Sequence, residues 1–229
     1  MTARLISYSQ PPPINTNLPE QNTVHTVQTL QDLVAYCARV SNPANQNNTK
    51  TNEKLIHYLI KNDHWSPLEM VSICLEIETT RDIARQILRH RSFSFQEFSQ
   101  RYAVADLGVK CREARTQDNK NRQNSIVSED AELQELWAKI QTDIAEQTTK
   151  AYNLALEHGI AKEQARAVLP EGLTMSRLYM NGTLRSWVHY IQLRSGNGTQ
   201  KEHREVALAC AEAIKTVFPM IGELIVPLS

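Results

Sequence analysis

Apolar and polar residues alternate through Val71, Ile73, Leu75 and Ile77, with Ser72, Cys74, Glu76 and Glu78 between them. A side-chain period of two places the apolar set on one sheet face, so this stretch predicts a strand. A shorter strand is predicted from Ala3 to Tyr8, ended by Pro11, Pro12 and Pro13, which cannot donate to a ladder; a polar linker follows. Leu173 to Met180 predicts another strand.

The helical period appears elsewhere. Val27, Leu30, Val34 and Cys37 recur at that spacing, as do Leu55, Ile56, Leu59 and Ile60; Asn42-Pro43 and the Asn-rich run to Asn48 separate the two amphipathic helices. A long helix is expected behind Leu133, Leu136, Trp137, Ile140 and Ile144, with Ser128 as its N-cap and Gly159 as its stop. Pro170 closes a short helix, and Leu184 to Leu193 reads as a helix with Trp187, Tyr190 and Ile191 inward. Thr199-Gln200-Lys201-Glu202 fits a capping box ahead of a buried stripe of Val206, Cys210, Ala213 and Val217 that ends at Pro219. Helices outnumber strands, and the seven glycines form neither Gly-x-Gly-x-x-Gly nor a Walker loop. The expectation is one α+β domain over residues 1–229, a mixed or antiparallel sheet flanked by helices, without a Rossmann unit.

Charge narrows the function. Lys and Arg number 25 and so do Asp and Glu, giving a formal net charge of zero and no global field toward nucleic acid or an anionic membrane. No apolar run approaches the roughly 18 residues of a membrane-spanning helix. Cys37, Cys74, Cys111 and Cys210 are scattered without a Cys-x-x-Cys pair and no signal peptide opens the chain, so reduced thiols in a cytoplasm and no zinc site are expected. Residues 103–127 turn polar and basic, with Lys110, Arg112, Arg115, Lys120 and Arg122, and read as a solvated excursion or mobile loop.

The chemistry concentrates between Arg89 and Arg101, in Arg-His-Arg-Ser-Phe-Ser-Phe-Gln-Glu-Phe-Ser-Gln-Arg. Guanidinium groups stay charged and present planar forks of donors, so several at close quarters repel one another unless phosphate or carboxylate lies between them. Arg81, Arg85 and Arg89 stand four apart and would line one helix face with Gln86 and His90 beside it. A phosphorylated ligand, and with Glu97 a nucleotide, is the implied partner. Three other readings compete. The arginines pair with Glu97, Glu76 and Glu78 on a solvated surface; or they join the basic stretch Lys110 to Arg122 as a nucleic-acid-binding module; or the pocket senses a nucleotide without chemistry.

Arg89-His90-Arg91, then Ser99 and Arg101, resembles the signature of the flavin-dependent thymidylate synthases. The likeness extends through His64-Trp65-Ser66-Pro67-Leu68-Glu69 and Ala84-Arg85-Gln86, then Ala165-Arg166-Ala167-Val168-Leu169-Pro170, Leu193-Arg194 and Gln200-Lys201-Glu202. The resemblance implies methylation of dUMP to dTMP, with methylenetetrahydrofolate as carbon donor, reduced FAD as hydride donor and NADPH to regenerate it. It also implies a homotetramer with sites between subunits. By matching positions, Gln86, Arg89, Glu97, Ser99, Gln100, Arg101, Arg166 and Arg194 would hold dUMP. Ser66, Arg89, His90, Arg91, Glu97, Arg185 and His189 would hold FAD. Arg194 is the expected catalytic residue, a fixed positive charge beside the uracil edge as the ring becomes anionic. Arg101 and Ser99 suit the phosphate; Ser99 has no partner base and reads as a ligand, not a nucleophile. His64 and Tyr102 are assigned to a folate or flavin edge, and no second and third ligand make His64 a metal site. Gln96, His189 and Gly198 depart from the family pattern, which commonly has Asn, Asn and His at those places.

Overall fold

The structure is a computed structural model describing residues 1–11 and 26–224; Pro12, Pro13 and the polar linker lie outside these residues. In chain order its elements are β1 (Thr2–Tyr8), α1 (Leu30–Ala38), α2 (Asn52–Lys61), β2 (Ser72–Thr80), α3 (Arg81–Ile87), β3 (Ser94–Glu97), β4 (Arg115–Gln117) and β5 (Ser125–Val127). There follow α4 (Ala131–Glu157), α5 (Lys162–Ala165), β6 (Met175–Thr183), α6 (Leu184–Ser195), α7 (Lys201–Lys215) and α8 (Ile221–Leu224).

Four strands make one antiparallel sheet in the order β1-β2-β6-β3. The alternation in β2 accounts for its central place: Ile73, Leu75 and Ile77 are fully buried on one face. Burying each such side chain stabilises the fold by roughly 1.5–3 kcal/mol. α7 lies across β1 and β2, and α6 packs on α7. Trp187 of α6 is buried and still satisfied, because its Nε1–H donates to the Ile73 carbonyl at 3.0 Å. Phe93 meets Trp187 edge-on with ring centroids 4.8 Å apart. Gly182 of β6 makes that possible, since a Cβ there would stand 2.4 Å from Cδ1 of Phe93. The α+β class with an antiparallel sheet is as expected, and no Rossmann unit occurs among the described residues.

Several local expectations need correction. β6 lies two to three residues later than Leu173 to Met180, because Leu173 and Thr174 close a turn on the Pro170 carbonyl. The cap of α4 is Asp130, whose carboxylate accepts from the N–H groups of Glu132 and Leu133, and Ser128 supports it by accepting from the Asp130 N–H. The capping box at Thr199 does not form: Gln200 is the N-cap without a side-chain bond, and Glu202 pairs instead with Arg115. A buried carboxylate is better satisfied by a guanidinium than by a backbone N–H that already faces water. Helix α3 stops at Ile87, so Arg89 lies beyond the face shared by Arg81 and Arg85.

The 103–127 stretch is not a free loop. It carries the β4–β5 hairpin, and Arg112 and Arg115 tie it to Asp82 and Glu202. Helix α4 has the predicted periodicity, yet Leu136, Trp137, Ile140 and Ile144 stay exposed while Gln141, Ala145 and Tyr152 face inward.

Candidate active site

The turn after α3 sorts the signature residues. Arg89 N–H bonds back to the Gln86 carbonyl at 3.3 Å and His90 N–H to the Ile87 carbonyl at 3.0 Å, tightening the chain into a turn. His90 is thereby turned against Tyr190 of α6, with ring centroids 4.9 Å apart. Arg89 and Arg91 are left exposed, with no carboxylate partner among the described residues.

Arg194 comes from the last turn of α6 and donates its Nε–H to Nε2 of His90 at 3.0 Å. Burial first, and the nearby Arg194 charge second, push the His90 imidazole down to about 4, so it is neutral at pH 7. Its proton is then on Nδ1, and both terminal nitrogens of Arg194 have no partner among the described residues. Ser195 Oγ, next along the chain, is buried and also without a partner. His203 of α7 lies 6.2 Å from His90 between ring centroids, fully buried and pushed down to about 3, chiefly by burial. It meets Gln86 Oε1 and the Tyr190 hydroxyl, both at 3.2 Å. Gln86, His90 and Arg194 are thus brought together.

A second set gathers at the far side of α3. Glu97 accepts from Ser176 Oγ at 3.0 Å, and Arg85 and Arg81 approach it at 3.4 and 3.7 Å. The ion-pair reading therefore holds for Arg81 and Arg85, and Glu76 and Glu78 take Arg4 and Arg177. Beyond β3, Gln100 is buried while Ser99, Arg101 and Tyr102 are exposed, Tyr102 at 88 %. Arg101 and Arg166 converge on Glu163: Arg101 Nε lies 3.5 Å from its carboxylate, and Arg166 Nε donates to its carbonyl at 3.3 Å. Glu97, Ser99 and Tyr102 also line a depression of about 520 Å³ with Arg177 and Tyr179. No hydrogen bond or ion pair among the described residues joins this set to Arg194; α3 stands between, offering Arg81 and Arg85 to one side and Gln86 to the other.

A third set lies at the start of α6. Ser66 opens the 3-10 turn Ser66–Met70, Arg185 pairs with Glu69 of that turn, and His189 meets Trp65 edge-on at 4.4 Å. Burial and the Arg185 charge hold the His189 imidazole below its ordinary value. His64 is exposed and touches Tyr58 at 6.0 Å between centroids. No group of three or more metal-ligating side chains occurs among the described residues.

The donor set suits FAD on its chemistry. Arg89 and Arg91 supply unpaired planar cations for a pyrophosphate, and the Trp65–His189 pair supplies an aromatic edge. Sequence reasoning gave no role to His203 or Gln200, which both bond to Gln86. A signal existed for His203: it falls in phase with Val206 and Cys210 on the buried stripe of α7, where a polar side chain requires a partner.

Residues 23–220 match the family described as thymidylate synthase complementing protein. A probable flavin-dependent thymidylate synthase of Paramecium bursaria Chlorella virus 1 is 48% identical over 223 residues, covering 97% of this chain and 98% of its own. The flavin-dependent thymidylate synthase of Synechocystis sp. is 50% identical over 192 residues, covering 84% and 87%. Among solved structures, the UMP/dUMP methylase PolB of Streptomyces cacaoi bound with 5-Br dUMP aligns with a TM-score of 0.78 at 26% identity, over 97% of this chain and 93% of that one.

Proposed function

The chain belongs to the flavin-dependent thymidylate synthase family, and on that premise we propose that it methylates dUMP to dTMP with Arg194 as the catalytic residue. It is a flavin-dependent methyltransferase acting on dUMP. Bound reduced FAD supplies the hydride, methylenetetrahydrofolate the one-carbon unit, and NADPH the electrons that restore the flavin. The observation that carries the reading is the placement of Arg194 against a neutral His90, with Gln86 alongside.

The physical roles follow from that placement. A neutral His90 adds no competing positive charge, and its bond to Nε fixes the plane of the guanidinium. Both terminal N–H groups of Arg194 are then available to the uracil edge, where negative charge grows as C5 becomes nucleophilic. Gln86, and Arg89 whose N–H bonds to the Gln86 carbonyl, hold the same nucleotide. Glu97, Ser99, Gln100, Arg101 and Arg166 form the other half of the dUMP site, with Arg101 and Ser99 at the 5′-phosphate. Ser66, Arg89, His90, Arg91, Glu97, Arg185 and His189 hold FAD, and His64 and Tyr102 meet the folate or flavin edge.

The two halves engage different residues of α3, Gln86 in one and Arg85 with Glu97 in the other, and each finds its complement in another subunit of a homotetramer. The exposed stripe of Leu136, Trp137, Ile140 and Ile144 supports that assembly, because apolar residues at helical spacing favour a covered face. A single domain over residues 1–229 is supported by one continuous core and by the 23–220 family match. A cytoplasmic location is supported by four unpaired cysteines; no helix among the described residues is long and apolar enough to cross a membrane. The nucleic-acid reading loses its ground, since Arg112 and Arg115 of the basic stretch are held by Asp82, Glu113 and Glu202.

The test is tritium release from 5-tritiated dUMP, with FAD, NADPH and methylenetetrahydrofolate each withheld in turn. Release that needs all of them supports the proposal; release indifferent to the flavin overturns it.

A further inference from the structure

Glu202 of α7 is buried and paired with Arg115, and Arg112 approaches it at 3.8 Å. As a carboxylate it can only accept hydrogen bonds. Gln200 must therefore turn its amide nitrogen toward it, as the 3.0 Å contact from Nε2 to Oε2 requires. The other end of that amide, Oε1, then faces Gln86 and accepts from its Nε2–H at 2.8 Å. Gln86 in turn is left showing its carbonyl to His203 Nδ1 at 3.2 Å, so Nδ1 carries the proton. A neutral imidazole with Nδ1–H has a bare Nε2, which accepts from the Tyr190 hydroxyl at 3.2 Å. Tyr190 is almost wholly buried, and this bond satisfies it. Each side chain has one orientation, dictated in sequence from the carboxylate outward.

We infer that His203 is a positioning residue for the dUMP site: with Gln200 and Glu202 it locks the Gln86 amide against flipping, so that Gln86 offers the nucleotide one N–H and one carbonyl lone pair in fixed places. The inference rests on the proposed dUMP role of Gln86. His203 lies in the core, bonded to Tyr190 and Gln86, and of these two partners only Gln86 belongs to the proposed dUMP site. An amide held at both ends has lost its rotamer freedom before the ligand arrives, which lowers the entropic cost of binding. With His203 removed, Gln86 keeps only the Gln200 bond and can rotate about its terminal torsion, and the freed carbonyl competes for water.

The experiment has two arms on the full-length enzyme. In the first, 15N-labelled histidine in the ligand-free enzyme reports the His203 tautomer. Protonated Nδ1 with bare Nε2, persisting at pH 5, is expected; a protonated Nε2 overturns the inference without reference to dUMP. In the second arm, dUMP affinity is measured for His203→Leu, His203→Asn, Gln86→Ala and the double variant Gln86→Ala with His203→Leu, all loaded with FAD. Loss of one such hydrogen bond weakens binding about tenfold, so His203→Leu should raise the dUMP dissociation constant by that factor with FAD content unchanged. His203→Asn keeps an N–H where Nδ1 stood and should recover most of the loss. In the Gln86→Ala background His203→Leu should add nothing to the loss of dUMP affinity, because the nucleotide-binding group it positions is gone. An equal loss in both backgrounds would identify a general packing defect and overturn the inference. A wild-type enzyme with the expected tautomer that binds FAD but no dUMP would sink the functional reading while leaving the ordered chain of bonds standing.

Discussion

Arg194 donates its Nε–H to Nε2 of His90 across 3.0 Å, and the bond exists only while that imidazole nitrogen is bare. The pair therefore holds a full positive charge against an uncharged ring, with the guanidinium plane set by a residue that does not oppose it. The Arg-His-Arg motif and the arginine of α6, remote in sequence, meet at this contact.

Replacing Arg194 by Ala should lower kcat by about 10²- to 10³-fold, the range for losing one preorganised donor to a developing anion. FAD content should be unchanged, since of the residues proposed for the flavin only His90 is bonded to Arg194. Single-turnover tritium release together with the flavin absorbance of the purified variant checks both halves; near-normal turnover would remove Arg194 from its role.

Acid should destabilise the fold through the same histidines. Folding lowers His90 from 6.5 to about 4 and His203 from 6.5 to about 3. Between those values and 6.5 the unfolded chain binds more protons than the folded one, so unfolding free energy rises with pH in that window. The contribution is fully present above about pH 6.5 and is lost as pH falls toward 4 and then 3. Tm by calorimetry should drop from pH 7 to pH 4.5, and His203→Leu should flatten the slope.

Gly182→Ala should be costly at a position where the backbone angle is not the reason. The added methyl would sit 2.4 Å from the Phe93 ring, and Phe93 is itself wedged against Trp187 and Tyr190. Overpacking of this kind costs about 1–3 kcal/mol, which for a chain of this length lowers Tm by roughly 2–4 °C per kcal/mol. Activity should fall as well, because Phe93 ends the turn that carries His90. A Tm within a degree of the wild type would show that Phe93 yields freely.

Putting charge on the outer face of α4 tests the assembly. Trp137→Glu with Ile140→Glu should leave the chain folded, as both residues lie outside the core, and should reduce the particle mass seen by analytical ultracentrifugation. Unchanged mass would show that another surface joins the subunits.

The sequence was most legible where one period met one partner. Ile73, Leu75 and Ile77 announced the central strand because β1 and β6 flank it and a helical layer covers one face. Trp187, Tyr190 and Ile191 announced the inward side of α6 for the same reason. The stripe on α4 announced a helix correctly and its burial wrongly, since periodicity says that a face is apolar and not what covers it. Glu202 misled as a capping residue because two arginines remote in sequence compete for it, and such long-range pairing leaves no local trace. Strand β3 was hidden inside the arginine-rich motif, whose charges obscured a four-residue alternation. At the site, the family resemblance singled out Gln86, His90 and Arg194, which contacts through His203 and His90 link in the fold. His203 was visible only as a polar residue out of character with its stripe.

Arg115 belongs to the β4–β5 hairpin, and through Glu202 it reaches the same ordered chain of side chains that ends at Gln86. Reciprocity of coupled equilibria then works in both directions: whatever steadies Gln86 also steadies the hairpin's anchor. The tip around Lys120 and Arg122 should then report nucleotide binding at Gln86, and trypsin should nick it more slowly when dUMP saturates the enzyme than when the nucleotide is withheld.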